Sequence, residues 1–119
     1  MGAETSILQR IRLALGGKPG VRLFRNQIGV ADYGDGHRIP YGLHPGSADL
    51  IGWRTVTVTP DMVGQRIAVF LSIEVKSPSG AVKPSQENWC DAVRDAGGLA
   101  GVARSVEEAE EILHLCGGA

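Results

Sequence analysis

The sequence predicts an α/β domain, a mixed sheet flanked by helices, with its elements in the order α-β-β-β-α-β-α. Three observations predict it. Residues 66–76 form the most apolar run of the chain, with Ile67, Val69, Phe70, Leu71, Ile73 and Val75. Such a run, apolar on both faces as far as Ser72, is the pattern of a central strand. Segments of helical spacing stand before and after it, and the glycine pairs Gly16-Gly17 and Gly97-Gly98 stop two of them.

In chain order, residues 4–15 form the first helix, because Ile7, Leu8, Ile11 and Leu15 recur at helical spacing. Residues 21–26 read as a strand, with a continuation through Val30. Residues 32–47 are rich in Gly, Pro, His and Tyr and read as one long loop, a kind of segment that often carries function. Residues 48–53 are a short apolar strand that 55–59 extend, and 60–65 form a turn. The strand at 66–76 leads through a turn-rich loop at 77–84 to a helix at 85–96. A short apolar strand follows at 99–103. Ser105, with Glu108 three residues on, has the pattern of a capping box that opens a last helix to about residue 115. Trp89, Val93 and Leu99 read as core. There is no internal repeat and no low-complexity segment.

The 119 residues suit one domain, 1–119, able to bury a core without staples. No run of 18 apolar residues is present, which excludes a spanning helix. The N-terminus lacks a basic stretch followed by an apolar one, so a cytoplasmic protein is expected. The two cysteines, Cys90 and Cys116, form no CxxC and have no nearby histidine pair. That disfavours a zinc site or disulfide framework, and both read as packing residues.

The net charge of −1 alone argues against a nucleic-acid binder, but its distribution changes that reading. Residues 106–119 carry four acids (Glu107, Glu108, Glu110, Glu111) and no Lys or Arg. Taking these four from the 13 acids leaves residues 1–105 with 12 basic and 9 acidic side chains, a net +3. The acidic last helix reads as a solvated face, and the balance elsewhere permits nucleic acid.

The chemistry concentrates where the apolar strand ends. Glu74 and Lys76 stand at i and i+2, so a strand points both to one face. Asp49 stands in the other apolar strand, within Ala48-Asp49-Leu50-Ile51. If the two strands are neighbours, Asp49 and Glu74 converge. Two carboxylates, with the Val75 carbonyl between Glu74 and Lys76, suit Mg²⁺ or Mn²⁺, hard cations that take oxygen ligands. An ammonium beside such a metal can stabilise the charge that develops on a phosphodiester, or orient the attacking water. Taken alone, Glu-x-Lys is an ordinary same-face ion pair, and an Asp after a loop is an ordinary turn residue. The combination points to a metal-dependent nuclease.

Three segments then resemble the PD-(D/E)xK nuclease superfamily, and within it the VRR-NUC family, whose stand-alone members occur in phages and bacteria. They are Gly46-Ser47-Ala48-Asp49-Leu50-Ile51-Gly52, Ile73-Glu74-Val75-Lys76-Ser77-Pro78-Ser79-Gly80 and Pro84-Ser85-Gln86-Glu87-Asn88-Trp89. The closing segment, Ala96-Gly97-Gly98 followed by Val102-Ala103-Arg104, is similar too. The resemblance implies a restriction endonuclease-like core. It implies that Asp49 and Glu74 bind metal, that Lys76 is catalytic, and that Gln86 faces the site from a helix. Its alternative for Gln86 is a polar residue at a helix N-terminus. Glu4, the one acid of the first helix, is carried over as a further metal ligand. Two departures stand out: Ala48 precedes Asp49 where the family has proline, and Ala103 takes the place of the first arginine of Val-Arg-Arg. Arg104 is left to contact phosphate or to anchor the strand end.

Tyr33, His37, Arg38, Tyr41 and His44 in the long loop, and Lys83 beside the site, could grip DNA by phosphate contacts and stacking. The other reading of the loop is a plain polar surface. Gly34-Asp35-Gly36 is too short for a phosphate-binding fingerprint. No motif reads base sequence, so structure-selective cutting of branched or four-way junction DNA is expected. The expected setting is a bacterial or phage-infected cell. A domain this small enlarges its footprint by pairing, so a homodimer is expected. The competing readings are a non-catalytic branched-DNA-binding module on the same fold, and a protein-interaction domain with an incidental Glu-x-Lys.

Overall fold

The computed structural model describes residues 2–114, so Cys116 lies outside them. The chain divides into two compact units, Met1–Val56 and Thr57–Ala119.

In the first unit, helix α1 (Ala3–Gly16) packs on strand β1 (Val21–Arg25), with Leu8 its buried contact. The β1 strand pairs antiparallel with β4 (Leu50–Arg54), from Val21 opposite Arg54 to Arg25 opposite Leu50. The two strands approach closely at Gly52, where an added Cβ would run into the Arg22 carbonyl. Between them in sequence, β2 (Gly29–Asp32) and β3 (Arg38–Tyr41) form a hairpin. The expected continuation of β1 through Val30 is thus a separate strand, and the expected long loop contains its partner. The hairpin turn is tied by its own acids. Asp32 accepts from Gly34 N at 2.9 Å, and Asp35 accepts from His37 N at 2.9 Å. The His37 ring also bonds the Asp35 carboxyl, and that side-chain bond holds Asp35 below the usual carboxylate range.

In the second unit, a 3₁₀ turn (Pro60–Met62) precedes β5 (Leu71–Val75), α2 (Pro84–Asp95), β6 (Leu99–Ala103) and α3 (Val106–Ile112). The β5 and β6 strands run parallel, with α2 as the crossover that a parallel pair requires. Cys90, Val93, Ala100 and Ala103 are buried, Val93 almost completely. The α2 helix ends as its glycines predict. Gly97 takes φ +101°, its N–H bonds the Arg94 carbonyl, and Gly98 N reaches back to Val93 O, a Schellman arrangement. At the start of α3, Ser105 Oγ accepts from Glu108 N, as the capping pattern predicts. Glu108 Oε1 returns the bond one residue upstream, to Arg104 N at 2.7 Å. The acids of α3 are exposed.

The fold is a mixed α/β arrangement of helices with small antiparallel and parallel sheets, and the expected single sheet is divided into three two-stranded ladders. The expected strand over 66–76 is confined to Leu71–Val75. The reason is its partner: β6 begins only after the Gly97-Gly98 turn, and Leu99 sits opposite Leu71. Residues before Phe70 lie beyond the end of that ladder. Among the described residues, no helix is long and apolar enough to cross a membrane.

Close approach at Gly52 is directly testable. Gly52→Ala should destabilise the fold by about 1–3 kcal/mol, the usual range for overpacking. Gly16→Ala, where a Cβ meets nothing within 4 Å, should leave the melting temperature level or raise it. Equal melting temperatures for Gly52→Ala and the parent would contradict the tight β1–β4 contact.

Candidate active site

The second unit places the acid–lysine pair on a helix-covered face. Trp89 of α2 donates its indole N–H to Ser72 Oγ at 2.7 Å, and its ring meets Phe70 edge-on at 6.4 Å. Phe70 and Ser72 therefore face α2, and strand alternation puts Glu74 and Lys76 on the same side. Exposure follows this register. Phe70, Ser72, Glu74 and Lys76 are half-buried, whereas Leu71, Ile73 and Val75 are exposed. Lys76 Nζ lies 4.0 Å from Glu74 Oε2, with side-chain exposures of 16% and 35%. At that distance the ion pair is loose, and its contribution to stability is small.

The ladder also orients the Val75 carbonyl. Phe70 O accepts from Leu99 N at 2.8 Å, and Lys76 N donates to Ala103 O at 3.1 Å. Bonding residues alternate along a parallel ladder, so the even-numbered residues address β6 and the Val75 carbonyl turns to the opposite edge. Among the described residues, no group of three or more His, Cys, Asp or Glu forms a metal-holding cluster.

Gln86 lies one turn before Trp89 on α2, on the same helix face. Its Oε1 accepts from Lys83 N at 3.0 Å, and Gln86 N donates to the Lys83 carbonyl at 2.9 Å. Gln86 thus caps the helix, and its amide NH₂ takes no part in that cap. The Lys83 side chain is exposed at the same helix start. Arg104 anchors the strand end: Nη1 donates to Ser77 O at 2.6 Å and Gly80 O at 2.8 Å, closing the loop that follows Lys76.

The first unit holds the remaining predicted residues. Asp49 immediately precedes β4 and is exposed. Its carbonyl accepts from Asn26 N at 2.8 Å, extending the β1–β4 ladder by one bond. Glu4 lies in the exposed first turn of α1. Arg38 opens β3 and is exposed. His44 is exposed, with Nδ1 2.8 Å from Pro45 O.

Asn26 is a residue the sequence reading misses. Its Nδ2 donates to Ser47 Oγ at 2.8 Å and Ala48 O at 2.9 Å, and its Oδ1 accepts from Leu43 N at 3.0 Å. One side chain thus fixes both arms of the loop that delivers Asp49. The available signal was an amide at the end of a strand, where Asn commonly ties a turn. Asn26→Ala should cost about 2–3 kcal/mol, from three lost bonds of about 1 kcal/mol each. Amide exchange should accelerate at residues 43–49. Unchanged exchange there would show that the loop is held by other means.

A family model described as the VRR-NUC domain matches residues 40–107. No curated protein and no solved structure matches the chain. The matched segment contains Asp49, Glu74, Val75, Lys76, Lys83, Gln86 and Arg104. By that match, which spans more than half of its length, the chain belongs to the VRR-NUC family of nuclease domains.

Proposed function

We propose that this nuclease is a metal-dependent DNA endonuclease in which both units form one domain. The observation that carries the reading is the pair Glu74 and Lys76, half-buried on the α2 face of β5 and only loosely bonded to each other. A carboxylate and an ammonium so placed remain available to a ligand. The donors suit Mg²⁺ or Mn²⁺: Glu74 offers carboxylate oxygens, Val75 offers a carbonyl turned away from β6, and Asp49 offers an exposed carboxylate. These ions commonly bind through one or two carboxylates and keep several waters. When bound, the metal supplies Lewis-acid polarisation of the phosphodiester and a more acidic water. Glu4, exposed in the first turn of α1, is proposed as a further, weaker metal ligand.

The chain's own residues do the rest. Lys76 places a positive charge where the attacked phosphate gathers negative charge, a preorganised stabilisation. Gln86 keeps its amide NH₂ for a phosphate oxygen or the attacking water, while its oxygen caps α2. Arg104 holds the loop after Lys76 in shape through two carbonyls. Lys83, Arg38 and His44 are exposed and serve as phosphate contacts. The substrates proposed are branched or four-way junction DNA, cut by a homodimer whose two sites share the symmetry of the junction. The setting proposed is the cytoplasm of a bacterial or phage-infected cell.

The test is cleavage of plasmid and four-way junction DNA with Mg²⁺ or Mn²⁺, against EDTA. Asp49→Ala and Glu74→Ala should abolish cutting and Mn²⁺ binding in calorimetry while the fold persists. Lys76→Ala should cut about 10²–10³ times more slowly with metal binding retained. Junction binding without any cutting by the parent protein would favour the non-catalytic binding module instead.

Affinity should come mainly from phosphates and so fall steeply with salt. Arg38→Ala or Lys83→Ala should weaken binding to all sequences about equally. A salt-insensitive affinity, or dependence on one base sequence, would overturn the phosphate-contact assignment.

A further inference from the structure

Asp49 carries an exposed side chain on a held main chain. Its carboxylate takes part in no hydrogen bond and no ion pair among the described residues. Its backbone is bonded on both sides, and by one residue. Asn26 Nδ2 donates to the carbonyl of Ala48 at 2.9 Å, and Asn26 N donates to the carbonyl of Asp49 at 2.8 Å. These carbonyls lie in the two peptide planes that meet at the Asp49 Cα. A residue has only two soft backbone dihedrals, and they set how those planes lie to each other. Restraining both planes therefore restrains φ and ψ of Asp49 and aims its Cα–Cβ bond. The carboxylate keeps only its side-chain rotations.

The rest of the Asn26 amide holds the loop in support of that aim. Nδ2 also donates to Ser47 Oγ at 2.8 Å, and Oδ1 accepts from Leu43 N at 3.0 Å. Ser47 N closes a turn on the His44 carbonyl at 2.9 Å. At Gly42, with φ +86°, an added Cβ would run into the Gln27 carbonyl, so the outgoing arm lies directly against the residue after Asn26. Two donors and one acceptor at this reach are the chemistry of a primary amide on a single methylene. An aspartate carboxylate would offer no donor, and alanine no polar atom. Asn26 also lies outside residues 40–107, the segment that the family match covers.

We propose that Asn26 is a positioning residue for the metal, one that touches neither metal nor DNA and acts by aiming Asp49. The inference rests on the reading of Asp49 as a metal ligand. A ligand aimed in advance does not have to be ordered when the ion arrives, so binding is tighter. Partners that orient a metal ligand commonly set the affinity by about 10–100-fold. In Asn26→Ala the main-chain bond to Asp49 O remains and the bond to Ala48 O is lost. The plane before Asp49 is then released, and the carboxylate loses its aim without leaving the strand end.

The experiment is calorimetric titration of the full chain with Mn²⁺, alongside cleavage measured as a function of Mn²⁺ concentration. Asn26→Ala should bind Mn²⁺ about tenfold or more weakly at unchanged stoichiometry. Its cleavage should need correspondingly more metal and approach the parent rate at saturation. A merely structural loss would instead lower the stoichiometry and the saturated rate and leave the metal midpoint in place. Ser47→Ala, which removes one partner of Asn26 but not the bond to Ala48, should bind Mn²⁺ as the parent does. Asn26→Asp keeps the acceptor for Leu43 N but sets an oxygen against Ala48 O. It should bind Mn²⁺ more weakly than the parent although it adds a negative charge, and it takes the place of Asn26→Ala if that variant does not fold. Parent affinity in the folded Asn26 variants, or an equal loss in Ser47→Ala, would overturn the positioning role and leave Asp49 as a ligand. No Mn²⁺ binding by the parent, or undiminished binding by Asp49→Ala, would overturn the ligand reading and this inference with it.

Discussion

The hydrogen bond from Trp89 to Ser72 sets the register on which the candidate site depends. A strand shows alternate residues to alternate faces, so fixing one residue fixes them all. With Ser72 Oγ held 2.7 Å from the indole nitrogen, Phe70, Glu74 and Lys76 must share the α2 face. A slip of one residue would turn Leu71, Ile73 and Val75 to the helix and put the acid–lysine pair on the other side. The bond is local, but it combines with the Schellman end of α2, where Gly98 N reaches Val93 O and Leu99 N then bonds Phe70 O. The helix is thus tied to β5 near its middle and to the start of the ladder at its end.

The loop between β5 and α2 is held by a similar economy of polar groups. Arg104, leaving β6, bonds the carbonyls of Ser77 and Gly80. Gln86, entering α2, caps the main chain of Lys83. Both residues are candidates for phosphate or water contact, yet each already has a structural task. Glu74 and Lys76 are less committed: their closest approach is 4.0 Å. A strongly bonded pair would have to be broken before either side chain could act on a ligand. Loose pairing keeps the cost of that exchange low, and it is the reason the reactive assignment falls on these two rather than on the better-bonded Arg104.

Much of this was legible because it is periodic or local. The strand at Leu99–Ala103 has its predicted bounds, and α2 runs from Pro84 rather than Ser85 because proline suits the first helical turn. The shared face of Glu74 and Lys76 follows from their spacing alone. The hairpin was less legible. The β3 strand, Arg38–Tyr41, is four residues long, exposed at every position and carries Pro40 inside it, which argues against a strand in the sequence. The short extent of β5 depends on where β6 starts, which the residues of β5 do not encode. Asn26 is the clearest loss. Its partners Leu43, Ser47 and Ala48 are far along the chain, so its role exists only once β1 and the loop before β4 are side by side. The placement of Asp49 inherits the same dependence.

Charge divides along the same line as the two compact units. Met1–Val56 contains seven Lys or Arg and four Asp or Glu, a net +3. Thr57–Ala119 contains five and nine, a net −4, and together these give the −1 of the whole chain. The sequence-level view, which assigns the negative charge to the last helix, is therefore only part of the pattern, since Asp61, Glu74, Glu87, Asp91 and Asp95 contribute as well. Phosphate attraction depends on local charge rather than on the total. On the nuclease reading, the basic first unit supplies the long-range attraction for DNA. In the proposed mechanism the acidic second unit contributes Glu74, Val75 and Lys76, and the first unit contributes Asp49. In the proposed metal-dependent reaction, a divalent cation would lower the local negative charge that otherwise repels a phosphate from the lysine.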